Sequence, residues 1–123
     1  MIRRLMIVDD SLSFRKSMTF LLRSIEGIQL VGEFEDGMDA LTNIPILSPD
    51  IVLVDVLMPG MDGITLTRFI RQFYPDIQII AITGSMNSQV AQRVLDAGAS
   101  RVVFKGQSIV NILRALSPVG ART

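Results

Sequence analysis

Five polar residues stand where apolar runs stop. The run "LMIV" at residues 5–8 ends on Asp9 and Asp10, and "IVLV" at 51–54 ends on Asp55. Thr83 follows "IQIIAI" at 77–82, and Lys105 follows "RVVF" at 101–104. Three carboxylates brought together repel one another. Two like charges about 4 Å apart cost roughly 4 kcal/mol at an effective dielectric of 20. They stay ionised only beside positive charge. Lys105 offers one unit. A divalent cation offers two, and an all-oxygen ligand set suits Mg²⁺ or Mn²⁺ better than Zn²⁺. The chain has no histidine and no cysteine. That removes the commonest general base, the commonest transition-metal ligand and all thiol chemistry. An acid after a strand is often only a helix cap. One cap suffices here, and Ser11 can supply it, so the adjacent pair Asp9 and Asp10 calls for a further reason.

The elements around these residues alternate. Leu5–Val8 reads as a buried strand. Phe14, Met18, Leu21, Leu22 and Ile25 fall on one helical stripe behind Ser11, and Gly27 is expected to end that helix. Ile28–Phe34 is a second strand. Asp36 and Gly37 read as a turn, followed by a helix carrying Met38, Leu41 and Ile44, which Pro45 should end or kink. Ile51–Val54 is the third strand. Ile64–Tyr74 is a third helix with Leu66, Phe69, Ile70 and Phe73 on its apolar side, stopped by Pro75. Ile77–Ile82 is the fourth strand and Met86–Ala97 the fourth helix, closed by Gly98. Arg101–Phe104 is the fifth strand. Ile109, Ile112, Leu113 and Leu116 form a fifth helical stripe. The strands are unbroken aliphatic runs, the mark of a parallel sheet covered on both faces. Right-handed crossovers then make it doubly wound. In such sheets ligands gather at the carboxyl ends of the strands, where all five polar residues lie.

Bulk properties narrow the function. A chain of 123 residues is one domain with a real core. Lys plus Arg and Asp plus Glu both number 12, so charge alone predicts no nucleic-acid or membrane surface partner. The apolar runs are too short to span a bilayer. The run after the basic "MIRR" stops at Asp9, too early for a signal peptide. The cytoplasm is the default compartment.

Several short stretches together resemble the receiver domain of a two-component response regulator. They are "VDD" at 8–10, "DGMDAL" at 36–41, "PDIVLVD" at 49–55, "MPGMDG" at 58–63, "ITG" at 82–84, "DAGA" at 96–99 and "FK" at 104–105. Each is weak alone, but their order and spacing are specific. The resemblance implies a flavodoxin-like α/β fold: a five-stranded parallel sheet of order 2-1-3-4-5 with five helices. It spans residues 1–117, with 118–123 a loose tail or the start of a linker. It implies that Asp55 accepts a phosphoryl group. Asp9 and Asp10 then form the acid pair for Mg²⁺ (or Mn²⁺), with Asp10 the more direct ligand and Asp9 acting largely through water. Asp55 and the backbone carbonyl of Leu57 complete the metal set. The Thr83 hydroxyl and the Gly84 amide hold phosphoryl oxygens, and Leu57 belongs to the phosphoryl-binding set with them and Lys105. Lys105 pairs with the Asp55 carboxylate before transfer and with the phosphoryl group after it. A carboxylate is a nucleophile that carries no proton at neutral pH, so no base is required. Phosphoryl transfer needs alignment and neutralised charge.

The same resemblance implies a sensor histidine kinase or phosphotransfer protein as donor, an unnamed effector or output domain, and no direct contact with nucleic acid or membrane. A homodimer is an open alternative. The domain would be no enzyme beyond assisting its own phosphorylation and dephosphorylation. Phosphorylation should alter the face made by the fourth helix, fifth strand and fifth helix. Four positions depart from the family pattern. Gly106 follows Lys105 where proline is common. Leu57 and Ser85 flank the phosphoryl site, and Leu57 cannot position water, which favours a long-lived phosphoform. Val102 replaces the usual aromatic residue, so the switch should work through the Thr83 loop without a ring flip. Pro59, Gly60 and Gly63 read as loop formers, the glycines permitting positive φ. Other classes fit less well. An aspartyl phosphatase wants D-x-D, a flavin carrier wants a hydroxyl-rich loop after the first strand, and a P-loop is absent. The rival is a pseudo-receiver, an interaction domain that is never phosphorylated.

Overall fold

The computed structural model describes residues 2–58, 60–84, 87–105 and Leu116. Strand β1 (Arg3–Val8) is followed by helix α1 (Leu12–Leu22), β2 (Ile28–Phe34), α2 (Gly37–Leu47), β3 (Ile51–Asp55), α3 (Gly63–Phe73), β4 (Gln78–Thr83), α4 (Ser88–Asp96) and β5 (Arg101–Phe104). The strands form one sheet in the order β2-β1-β3-β4-β5, and every pairing is parallel. Four helices stand among the described residues. The expected fifth lies outside them apart from Leu116, which is helical and buried. The 118–123 tail also lies outside.

Strand alternation divides the core in two. Met6, Val8, Val52, Val54, Ile79 and Ala81 face α2, α3 and α4 through Ala40, Ile44, Leu66, Ile70 and Val94. Leu5, Ile7, Ile51, Leu53, Ile80 and Ile82 face the other way, onto Met18 and Leu22 of α1 and onto Leu116. The central strands are therefore apolar on both sides, which is why their sequences do not alternate. No helix among the described residues is long and apolar enough to cross a membrane.

The helix ends follow local chemistry. The side chains of Ser11, Asp36, Asp62 and Asn87 each accept a backbone N–H of the first turn of α1, α2, α3 and α4. Asp36 is thus a helix cap and not part of a free turn. Helix α1 stops at Leu22, short of Gly27. That glycine, at φ 81°, instead turns the chain into β2. Pro45 does not end α2, which runs on to Leu47 and closes at Ser48 in the left-handed region. Pro45 has no N–H to give Leu41 O, so the helix runs through it with one intrahelical bond fewer. Helix α4 closes in a Schellman motif: Gly98 N–H donates to Leu95 O and Ala99 N–H to Val94 O, with Gly98 at φ 121°. Met86 lies outside the described residues.

The apolar face of α3 differs from the sequence reading. Leu66 and Ile70 are buried as expected, beside Gly63, Ile64 and Thr67. Phe69 and Phe73 are exposed and stack on each other, with ring centroids 6.2 Å apart. Ring size drew the stripe toward them, but close packing on the sheet selects the small residues Gly63 and Thr67. Met38 is likewise exposed at the start of α2, where Gly37 and Ala40 face inward.

Candidate functional site

Parallel strands bring their carboxyl ends to a single rim. Asp9 follows β1, Asp55 is the last residue of β3, Thr83 the last of β4, and Lys105 follows β5. Asp9, Asp55 and Thr83 are buried, Lys105 is half-buried and Asp10 is exposed. The three acids each offer an oxygen within 4.8 Å of the others'. The sequence-predicted residues Asp9, Asp10, Asp55 and Lys105 therefore meet. Thr83 joins them through its backbone, whose carbonyl accepts the Lys105 N–H at 2.6 Å.

Asp9 is committed on every side. Its N–H donates to Phe34 O at 2.9 Å. Its carbonyl accepts from the Arg15 guanidinium at 2.6 Å. Its Oδ1 accepts the Ser11 N–H at 2.7 Å, and its Oδ2 accepts the Lys105 ammonium at 2.8 Å. Asp55 is less occupied. Its Oδ1 accepts the Leu57 N–H at 3.1 Å, and Lys105 Nζ stands 3.8 Å from Oδ2. Lys105 is thus within ion-pair reach of both acids, and Asp9 is the nearer. Its ammonium also lies over the Phe14 ring, 4.4 Å from the centroid, a favourable cation–π geometry.

The charge balance is unfavourable without further cations. Burial, then the Asp9 charge, pushes the Asp55 carboxyl from 3.8 up to about 7, with a hydrogen bond to Asp10 adding to the rise. Lys105 and the Leu57 N–H pull it down without cancelling that rise. A buried carboxylate so short of positive charge is a good receiver for a divalent cation. The all-oxygen donor set fits Mg²⁺, which takes few protein ligands and keeps several waters. Of the three acids, Asp9 has both carboxylate oxygens engaged. That leaves Asp10 and the Oδ2 of Asp55 the better placed to meet an ion.

The surrounding loop was only partly readable. Gly60 has the positive φ expected of it, 77°. Gly63 does not. A Cβ there would lie 2.2 Å from Asp55 O and 2.6 Å from Val56 Cα, so glycine is required by close approach. Its N–H donates to Val56 O at 2.9 Å and fastens α3 under the acid. The Leu57 side chain is 60% exposed. Gly84 is exposed, with nothing within 4 Å of a Cβ built on it. Val102 packs on the α2–α3–α4 side of the sheet, and Phe104 is half-buried. Pro59, Ser85 and Gly106 lie outside the described residues. Three contributors escaped the sequence reading. Phe14 reads only as a core position in the sequence, and nothing there singles out Arg15 or Glu33.

Comparison with known proteins follows the same lines. Residues 5–117 match the family model described as the response regulator receiver domain. The response regulator GacA of Pseudomonas viridiflava is 36% identical over 118 residues, covering 96% of this chain and 55% of that protein. A protein-glutamate methylesterase/protein-glutamine glutaminase of Myxococcus xanthus is 38% identical over 104 residues, covering 83% of this chain and 30% of its own. The isolated REC domain of RcsB from Salmonella enterica serovar Typhimurium, solved in the presence of the phosphomimetic BeF3-, superposes with a TM-score of 0.91 at 30% identity. It covers 98% of this chain and 90% of that one. The chain spans about half the length of GacA and a smaller share of the methylesterase.

Proposed function

Because the chain belongs to the response regulator receiver domain family, we propose that it is a phosphorylation-dependent signalling switch with Asp55 as the phosphoacceptor. The observation that carries this is the meeting of Asp9, Asp10 and Asp55 with Lys105 at one strand-end rim. A carboxylate oxygen of Asp55 attacks phosphorus, and the donor leaves with the bonding pair. Asp10, Asp55, the Leu57 carbonyl and indirectly Asp9 would hold Mg²⁺, which would supply positive charge to the carboxylates and the incoming phosphoryl oxygens. Lys105 adds a second positive centre, and Thr83 with the Gly84 amide offers hydrogen bonds to phosphoryl oxygens. The buried Asp55 is kept from bulk water, and Leu57 offers no polar group to aim a hydrolytic one.

The donor is a histidine kinase or phosphotransfer protein in the cytoplasm, and the domain assists only its own phosphorylation and dephosphorylation. That a relative of this fold was solved with a phosphomimetic supports an acyl-phosphate state. The added charge, about two units at neutral pH, draws Thr83 toward it and alters the surface of α4 and β5. The effector beyond that surface belongs to the whole protein's pathway. The test is intact mass after incubation with Mg²⁺ and a small acyl phosphate. Wild type should gain one phosphoryl group, and Asp55→Asn should gain none while keeping its fold. No gain by wild type would make this a pseudo-receiver.

A further inference from the structure

Arg15 lies in α1, yet its guanidinium leaves the helix to grip the sheet. Nη1 donates to the Asp9 carbonyl at 2.6 Å, and Nε donates to Glu33 Oε1 of β2 at 3.0 Å. The Arg15 side chain is only 11% exposed, that of Glu33 37%. Thr19, one turn along α1, directs its single hydroxyl proton between Arg15 O at 2.9 Å and Glu33 Oε2 at 3.3 Å. The carbonyl that Arg15 holds belongs to the peptide joining Asp9 to Asp10. The planar peptide fixes the Asp10 N–H as soon as the Asp9 carbonyl is fixed. Asp10 itself is exposed and has no burial to orient it.

We infer that Arg15, anchored by Glu33, is a positioning residue for the acid pair: it sets the Asp9–Asp10 peptide and so aims Asp10 at the cation. This rests on the metal-site reading above. A guanidinium suits the task because its rigid fork reaches two acceptors at once, whereas a lysine ammonium would serve them as a flexible point charge. Support of this kind around a ligand is commonly worth a large factor in metal affinity.

Simple electrostatics predicts the opposite sign. Removing a cation near the acids should strengthen Mg²⁺ binding, whereas losing a positioning group should weaken it. The experiment is Mg²⁺ titration by calorimetry on wild type, Arg15→Gln, Arg15→Lys, Glu33→Gln and the Arg15→Gln/Glu33→Gln double variant. Amide spectra of the metal-free proteins are recorded alongside. Arg15→Gln should weaken Mg²⁺ binding about tenfold, the lower end of what outer support of a ligand is worth. Arg15→Lys should recover part of the loss. Glu33→Gln should lose less than Arg15→Gln, and the double variant no more than Arg15→Gln alone. The Asp10 and Ser11 amides should shift in metal-free Arg15→Gln. Unchanged or tighter Mg²⁺ binding in a folded Arg15→Gln overturns the inference, even if its thermal stability falls. Should Arg15→Gln fail to fold, Glu33→Gln decides, since it removes the anchor and leaves the arginine in place: undiminished binding there overturns the inference too. A wild type that binds no Mg²⁺ overturns the metal-site reading with it. Wild-type binding that Arg15→Gln leaves intact removes this inference alone.

Discussion

A carboxylate that ends an aliphatic strand is conspicuous in a sequence, and for that reason Asp9, Asp10 and Asp55 stand out from residue order alone. The partners that set their behaviour do not. Arg15 carries no local mark, because its acceptors lie just past β1 and on β2 and only the folded sheet brings Glu33 beside it. The site's charge balance gives a pH prediction. Asp55 titrates near 3.8 when unperturbed and at about 7 in the fold, so between those values the native state binds more protons than the unfolded chain. Stability in metal-free buffer should therefore fall as pH rises through that window and level off above it. Asp55→Asn should remove that slope. Urea unfolding of both proteins with chelator across the window checks this, and parallel curves would contradict it. Thr67 supplies a second prediction. Its hydroxyl is fully buried and has no hydrogen-bond partner among the described residues. Thr67→Val keeps the shape and removes the unsatisfied group, so stability should rise by about 1 kcal/mol. Denaturant midpoints read it directly.

Elements were legible in proportion to how local their signals are. Caps and stops such as Ser11 and Gly98 declare themselves within a few residues, and the structure uses both. Packing faces do not, because the sheet decides which side of a helix it accepts. The α3 stripe shows why: Phe69 and Phe73 dominate any reading by hydrophobicity, whereas the sheet takes Gly63, Leu66, Thr67 and Ile70. Gly63 makes the point quantitatively. A methyl there would have to enter the backbone of Asp55 and Val56, which no rotamer change can relieve. Gly63→Ala should cost about 3 kcal/mol, the upper end for overpacking. It should also displace Asp55, so Mg²⁺ affinity should fall together with the unfolding midpoint. A variant that loses neither would show that the β3–α3 junction yields more easily than its contacts suggest.

At the scale of the whole molecule, a doubly wound parallel sheet follows from unbroken aliphatic strands alternating with helices. The order β2-β1-β3-β4-β5 does not: many orders satisfy the same alternation, and only likeness to a known family singled out this one. That order places β1 and β3 side by side and so sets Asp9 and Asp10 against Asp55. A ligand that neutralises this group binds the native state alone. Mg²⁺ should therefore raise stability by mass action, by about 2.7 kcal/mol at one hundred times its dissociation constant. The gain should shrink in Asp10→Ala, and a melting temperature indifferent to Mg²⁺ would place the cation elsewhere.

The ammonium of Lys105 meets Asp9 across 96 positions of sequence. On a ribosome adding about 5–20 residues per second, the acids emerge several seconds before their counter-charge. Until the fifth strand docks, the nascent rim holds three carboxylates and no lysine. The fold thus keeps time as well as place, since a chain too short to be finished lacks the Lys105 contacts of the completed rim.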